Sequence, residues 1–159
     1  MDAPAFTDPE ETRFVTHLNH VGYALDSESD PNGWRLATNP MAMPLCFRVV
    51  GPLICLHARY PAGGWHGEAY NDLLQDVNAI NSSHWLVRCT AMQCDGPAGD
   101  ELCVTLEANL PAYLPTQELG ACLFKWIAES GHIERTTRGY VSRSDDGVTA
   151  AGQRPEPGA

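Results

Sequence analysis

Apolar residues recur at every second position in five short segments of the chain, which is the pattern of strands with one buried face. Proline, glycine and asparagine separate the first three segments by only a few residues, so we expect neighbouring antiparallel strands. A glycine-containing turn also joins the last two segments. The five predicted strands cover residues 34–38, 45–50, 53–60, 85–93 and 102–109.

Three further segments carry apolar residues at intervals of three and four, which predicts amphipathic helices. The first is expected to begin with Asp8 as its cap and to end at Gly22, because these residue types start and terminate helices. The second covers residues 68–81. The third is predicted to begin with Thr116 as its capping residue and to end at Gly131.

The resulting order is α-β-β-β-α-β-β-α, which indicates an α+β fold with one antiparallel sheet and the helices packed on one of its faces. The polar run 26–33 is predicted to be a turn, and the glycine-rich run 61–67 a loop. Three tryptophans on regular elements, Trp34, Trp85 and Trp126, are expected in the core. The helix-covered face of the sheet is expected to hold Leu36, Phe47, Val49, Ile54, Leu56, Ala58, Val87, Val104 and Leu106.

Strand alternation sends the remaining side chains to the opposite face of the sheet. Cysteine and valine are seldom left in water, and arginine and methionine are frequent at protein interfaces. We therefore predict that this surface binds a client protein or a second copy of the chain, the alternative being an ordinary solvated sheet face. We call it the open face and define it by Cys46, Arg48, Val50, Cys55, His57, Arg59, Arg88, Met92 and Cys103.

The length and net charge of the chain indicate one domain and disfavour some classes of partner. The chain of 159 residues suits one domain, predicted over residues 1–131, followed by a tail over residues 132–159 that we expect to be disordered. A net charge of −10, from 10 basic and 20 acidic residues, disfavours binding to nucleic acid and to anionic membranes. No apolar stretch approaches the ~20 residues of a membrane span, and the first residues lack the pattern of a secretory signal. A cytoplasmic location is therefore expected.

The cysteines and histidines form no recognised catalytic or metal-binding motif. Zinc sites usually contain close cysteine pairs, whereas Cys55 and His57 form a single close pair, two positions apart on one strand. Their side chains project in parallel rather than toward each other, which disfavours a Cys–His nucleophile. We therefore expect no metal, no cofactor and no catalytic residue. A small cysteine-dependent enzyme or redox protein using Cys55 or Cys103 is the alternative from a different class.

Four segments carry a family resemblance. Residues 21–23 form a glycine–aromatic step after the first helix, residues 45–58 contain two central strands, and residues 77–81 include two asparagines at a helix end. Residues 104–119 run from the last strand through a proline-containing link into the final helix. Over residues 10–130 this arrangement resembles the YbjN-like family, which has the type III secretion chaperone-like fold.

The resemblance implies a small bacterial protein without enzymatic activity that forms a homodimer and binds other proteins or modulates a regulatory response. Secretion chaperones of this fold are typically acidic, as this chain is. Our favoured interpretation is a cytoplasmic, protein-binding homodimer with an unidentified client protein and with no nucleic-acid or membrane partner. A further alternative is a monomeric domain whose open face is only solvated.

Overall fold

The alternating segments form one antiparallel sheet, and the helical segments pack on one of its faces, so the predicted α+β class is confirmed. The computed structural model describes residues 9–65, 67–97 and 99–138. The elements are α1 (Pro9–His20), β1 (Ala24–Ser29), β2 (Arg35–Asn39), β3 (Ala42–Val50), β4 (Leu53–Gly64), α2 (Gly67–Ser83), β5 (Arg88–Gly96), β6 (Gly99–Pro111) and α3 (Thr116–Thr137). Each strand is antiparallel to its neighbours, in the order β1-β2-β3-β4-β6-β5.

The strand β1 is one more than the sequence predicted, and it lies in the run assigned to a turn. Among the strands that the structure describes it pairs only with β2 and lies at the edge of the sheet, so water can solvate its polar side chains and no apolar alternation is required. The turn follows it. The backbone N–H groups of Asn32 and Trp34 donate to Asp30 Oδ1 at 2.9 and 2.8 Å. The prediction was therefore wrong for residues 26–29 and right for the residues after them.

The helix α1 ends where the sequence predicted. Gly22 has a φ of 95°, a left-handed conformation that glycine adopts without steric cost. The N–H of Tyr23 donates to Leu18 O at 2.9 Å and that of Gly22 to Asn19 O at 3.1 Å. These two bonds form a Schellman motif, which pairs the last carbonyls of the helix. The predicted cap Asp8 lies outside the described residues.

The helix α3 is longer than predicted and does not end at Gly131. It continues to Thr137, because Ile133 and Thr137 are fully buried and the Tyr60 and Thr137 hydroxyls are hydrogen-bonded at 2.6 Å. These contacts outweigh the cost of one glycine in a helix, about 1 kcal/mol. Thr116 does not cap the helix, since the N-cap residue is a proline with no side-chain cap bond. Of the predicted tail, residues 139–159 lie outside the described residues.

The core lies between the helices and the sheet. The Phe14 ring of α1 packs edge-on against Phe47 of β3, with 5.2 Å between ring centroids. Leu36 is the exception among the residues predicted for this face: it pairs with Cys46 and lies on the open face. Its neighbour Arg35 points toward α1 instead and forms an ion pair with Glu11 at 3.0 Å. The sequence predicted a strand with alternating side chains at β2, but it assigned the two faces of that strand the wrong way round.

Only one of the three tryptophans expected in the core is there. Trp126 of α3 is buried, whereas the Trp85 side chain is 71% exposed just before β5, and Trp34 is half-buried on the open face. Lys125 lies over the Trp85 ring, 5.2 Å from its centroid. An aromatic residue beside a regular element was therefore an unreliable indicator of burial in this chain.

The free edge of β5 is covered by an asparagine at the end of α2. Asn81 Nδ2 donates to Cys89 O at 2.9 Å, and the Cys89 N–H donates to Asn81 Oδ1 at 2.8 Å. Cys89 is buried on an edge strand, so this amide satisfies two backbone groups that β6 does not reach. Asn81 therefore joins the last turn of α2 to the next strand in the chain rather than capping the helix.

Replacing Asn81 with alanine is expected to lower the free energy of unfolding by about 2 kcal/mol, because the N–H and C=O of Cys89 would be buried without partners. Asn78→Ala is the matched control, since Asn78 is exposed in the same helix. We expect the control to change stability by less than about 0.5 kcal/mol. Urea denaturation of both variants measures the difference, and equal losses would contradict the role assigned to Asn81.

Candidate binding face

The strand register places all nine residues of the open face on the same side of the sheet. His57 on β4 pairs with Cys46 on one side and Glu107 on the other, and Glu107 pairs with Arg88 on β5. Residues that are paired in the register point to the same face of the sheet. This row therefore shows which side chains of β3, β4, β6 and β5 share the open face. The helices pack on the other side of the sheet. That the open face binds a protein remains a prediction. Other pairs on the open face include Arg48–Cys55, Val50–Leu53, Arg59–Thr105 and Cys103–Met92.

A stack of three side chains lies across the strands at one part of this face. The Trp34 ring is 5.7 Å from that of His57, and the Arg48 guanidinium carbon lies 4.7 Å from the Trp34 ring centroid. Arg48 Nη1 also donates to Asn32 O at 3.3 Å. Its Nε is buried with no hydrogen-bond partner among the described residues. Trp34 was predicted to lie in the core together with Leu36, and both residues lie on the open face instead.

Apolar side chains flank this polar and aromatic centre. Val50 and Leu53, paired beside the β3–β4 turn, are 47% and 38% exposed. Met92 on β5 is 40% exposed at the other side of the face. Leu53 was not among the predicted site residues, although the alternation of Ile54 and Leu56 in the predicted strand sends it to the same side as Cys55. The open face therefore offers apolar contacts on two sides of an arginine-rich centre.

Two thiols of the open face, those of Cys103 and Cys46, are poorly suited to nucleophilic chemistry. Burial raises the pKa of the Cys103 thiol, the hydrogen bond with Cys94 raises it further, and the Arg59 guanidinium lowers it. Burial, followed by the negative charge of Asp30, also raises the pKa of Cys46. Reactive cysteines are accessible and have a lowered pKa. This environment therefore disfavours Cys103 as the nucleophile of a redox protein.

Iodoacetamide is expected to modify Cys103 more slowly than it modifies glutathione at about pH 8.5, because burial and the raised pKa both reduce the available thiolate. Peptide mass spectrometry identifies the modified cysteine and its rate. The same reaction in urea is the control, since unfolding should bring the Cys103 rate close to that of glutathione. Faster reaction of the folded protein than of glutathione would instead support the redox alternative.

In the described part of the chain, no three His, Cys, Asp or Glu side chains come together in a way that could hold a metal ion. Among the helices described, none has the length and apolar character needed to cross a membrane.

The fold has a structural relative. Comparisons with protein-family models and with curated proteins gave no match. Among solved structures, the chain is similar to the crystal structure of YbjN from E. coli, a candidate transcription regulator, with 15% sequence identity and a TM-score of 0.50. The match covers 87% of this chain and 93% of YbjN. At this identity the likeness concerns the fold alone, and this protein has the YbjN-like fold.

Proposed function

We propose that this protein is a non-catalytic module of a regulatory or chaperone-like kind, which binds a partner polypeptide through the open face. The observation that carries the proposal is the composition of that face, where exposed apolar side chains flank arginines, a histidine and a tryptophan. Arginine, methionine and aromatic residues are the types enriched in protein interfaces. The raised pKa of Cys103 disfavours that thiol as the nucleophile of the cysteine-dependent alternative.

The regulatory part of the proposal takes support from YbjN, the candidate transcription regulator with the same fold. Direct contact with nucleic acid requires a basic surface that neutralises phosphates, whereas this chain has a net charge of −10. A regulator with this charge would act by binding another protein.

The projected area of the open face is about three quarters of what each partner buries in a standard protein interface. Five strands about 4.8 Å apart and about 27 Å long cover roughly 600 Å² in projection. A standard protein interface buries about 800 Å² on each partner. Burying an apolar side chain contributes up to about 1.5–3 kcal/mol, so Val50, Leu53 and Met92 could supply much of the affinity.

Site-specific cross-linking tests the proposal. A photoreactive amino acid at position 92 is expected to form adducts with other polypeptides in the lysate of the source cells, and Val50→Asp is expected to abolish them. The matched control is the same substitution at Met41, which is 93% exposed and lies near α3. Equal labelling at the two positions, or no adduct at position 92, would contradict binding through the open face.

The homodimer is part of the proposal as well. It predicts a mass of twice 17.3 kDa in sedimentation equilibrium. A concentration-independent mass of one chain would contradict the dimer and leave the cross-linking result as the test of client binding.

A further inference from the structure

We propose that the polypeptide bound by the open face is an acidic segment with some apolar residues, an inference that rests on the proposed function. The basic residues on the two sides of the sheet differ in their partners. On the helix side, four of the five arginine and lysine residues described form ion pairs with carboxylates at 2.7–3.0 Å, and the exception is the exposed Arg135. These ion pairs are Arg13–Glu10, Arg35–Glu11, Lys125–Glu129 and Arg138–Glu134.

The arginines of the open face are paired differently. Arg48 contacts a ring and a backbone carbonyl, and Arg59 donates to the Cys103 sulfur at 4.0 Å. Within the described residues, neither they nor Arg88 forms an ion pair, although Glu107 stands opposite Arg88 in the register. The chain contains 20 acidic residues against 10 basic ones. Arginines without carboxylates on the face proposed to bind are donors for a partner's carboxylates.

The positions of these arginines fit one extended segment of a partner polypeptide. Arg48 pairs with Cys55, and Arg59 follows Cys55 by four residues along β4. The two arginines are therefore about 13 Å apart along the strand direction. That is the spacing of acidic side chains four positions apart in an extended peptide. Each guanidinium can donate two parallel hydrogen bonds to a carboxylate, which is the strongest geometry for such a pair.

The exposed apolar residues of the open face favour a peptide over other anions as its partner. Val50, Leu53 and Met92 are exposed beside the arginines and would contact apolar side chains, which a polyphosphate does not have. The net charge of −10 also repels nucleic acid at long range. An acidic peptide is repelled less because it carries fewer charges, and its apolar residues contribute to binding. The face therefore favours a mixed acidic and apolar segment.

Selection from a library of short random peptides tests the inference on the intact protein. The selected peptides are expected to be enriched in aspartate and glutamate relative to the unselected library. Arg59→Glu is expected to weaken the binding of a selected peptide at least about tenfold, and Arg88→Glu provides a second variant. Arg135→Glu, the same charge change at an exposed position of α3, is the matched control and should alter affinity by less than about twofold.

Each other outcome overturns the inference in a distinct way. A neutral or basic pool whose binding is lost in Val50→Asp would overturn the acidic partner and leave the proposed function standing. Failure to select any peptide sensitive to open-face variants would overturn both. Binding of an oligonucleotide that Arg59→Glu abolishes would assign the face to nucleic acid. Dissociation of a dimer by Arg59→Glu would assign it to a second copy of the chain.

Discussion

Replacing Phe47 with alanine is expected to lower the free energy of unfolding by about 3–5 kcal/mol. Phe47 is fully buried in the middle of the sheet, where it pairs with Leu56 and packs against Phe14. Its removal would leave a cavity between β3 and α1 that the surrounding backbone cannot fill. The total stability of such a domain is about 5–15 kcal/mol, so the loss would be a large part of it.

The chain contains a matched control for this prediction. Phe124 on α3 is 62% exposed, so Phe124→Ala removes the same atoms from a site that water already reaches. We expect it to change stability by no more than about 0.5 kcal/mol. Urea denaturation monitored by circular dichroism measures both variants. Similar losses in the two would mean that the helices do not pack on the Phe47 side of the sheet.

The centre of the sheet could be predicted from sequence because each strand there has a buried face. Phe47 and Leu56 alternate with Arg48 and Cys55, and the observed register places each pair on the predicted side. The same alternation placed all nine residues of the open face. A period of two needs no knowledge of tertiary contacts once the buried side of one strand is known.

The edges of the sheet could not be predicted in the same way. The strand β1 has no apolar alternation because one of its sides faces water. In β2, Arg35 faces inward because Glu11 of α1 pairs with it. That interaction joins residues far apart in sequence, so hydrophobicity alone assigned Leu36 to the core. Trp34 was misplaced for the same reason, and with it the aromatic stack of the open face.

A glycine predicted the end of a helix correctly only where no long-range contact opposed it. Gly22 ends α1 because the following Tyr23 leaves the helix and is buried against Met43. Gly131 carries the same local signal, but the burial of Ile133 and the Tyr60–Thr137 hydrogen bond continue the helix past it. Helix propensity is a weak prior that tertiary packing overrides.

The protein is expected to lose stability in base from about pH 9, because burial raises the pKa of Cys89 to about 11, and more steeply above about pH 10, where tyrosine ionises in the unfolded chain. Tyr23 is buried and its hydroxyl donates to Met43 O at 2.9 Å. Burial raises the pKa of Tyr23 to about 12, whereas an unfolded tyrosine titrates near about 10. Between these values the unfolded chain has released the phenolic proton and the folded chain still holds it. Stability is therefore complete below the unfolded pKa and falls as pH rises toward the folded one.

The expected slope is about 1.4 kcal/mol per pH unit for Tyr23, and Tyr60 adds to it because burial also raises its pKa. Tyr23→Phe should lower stability near neutral pH by about 1 kcal/mol through the lost hydrogen bond, yet flatten the decline above about pH 10. Tyr113→Phe, at a position 73% exposed, should leave the curve unchanged. Urea midpoints measured across the alkaline range decide the matter: a decline as steep in Tyr23→Phe as in the parent protein would mean that the Tyr23 phenol ionises as readily in the folded protein as in water.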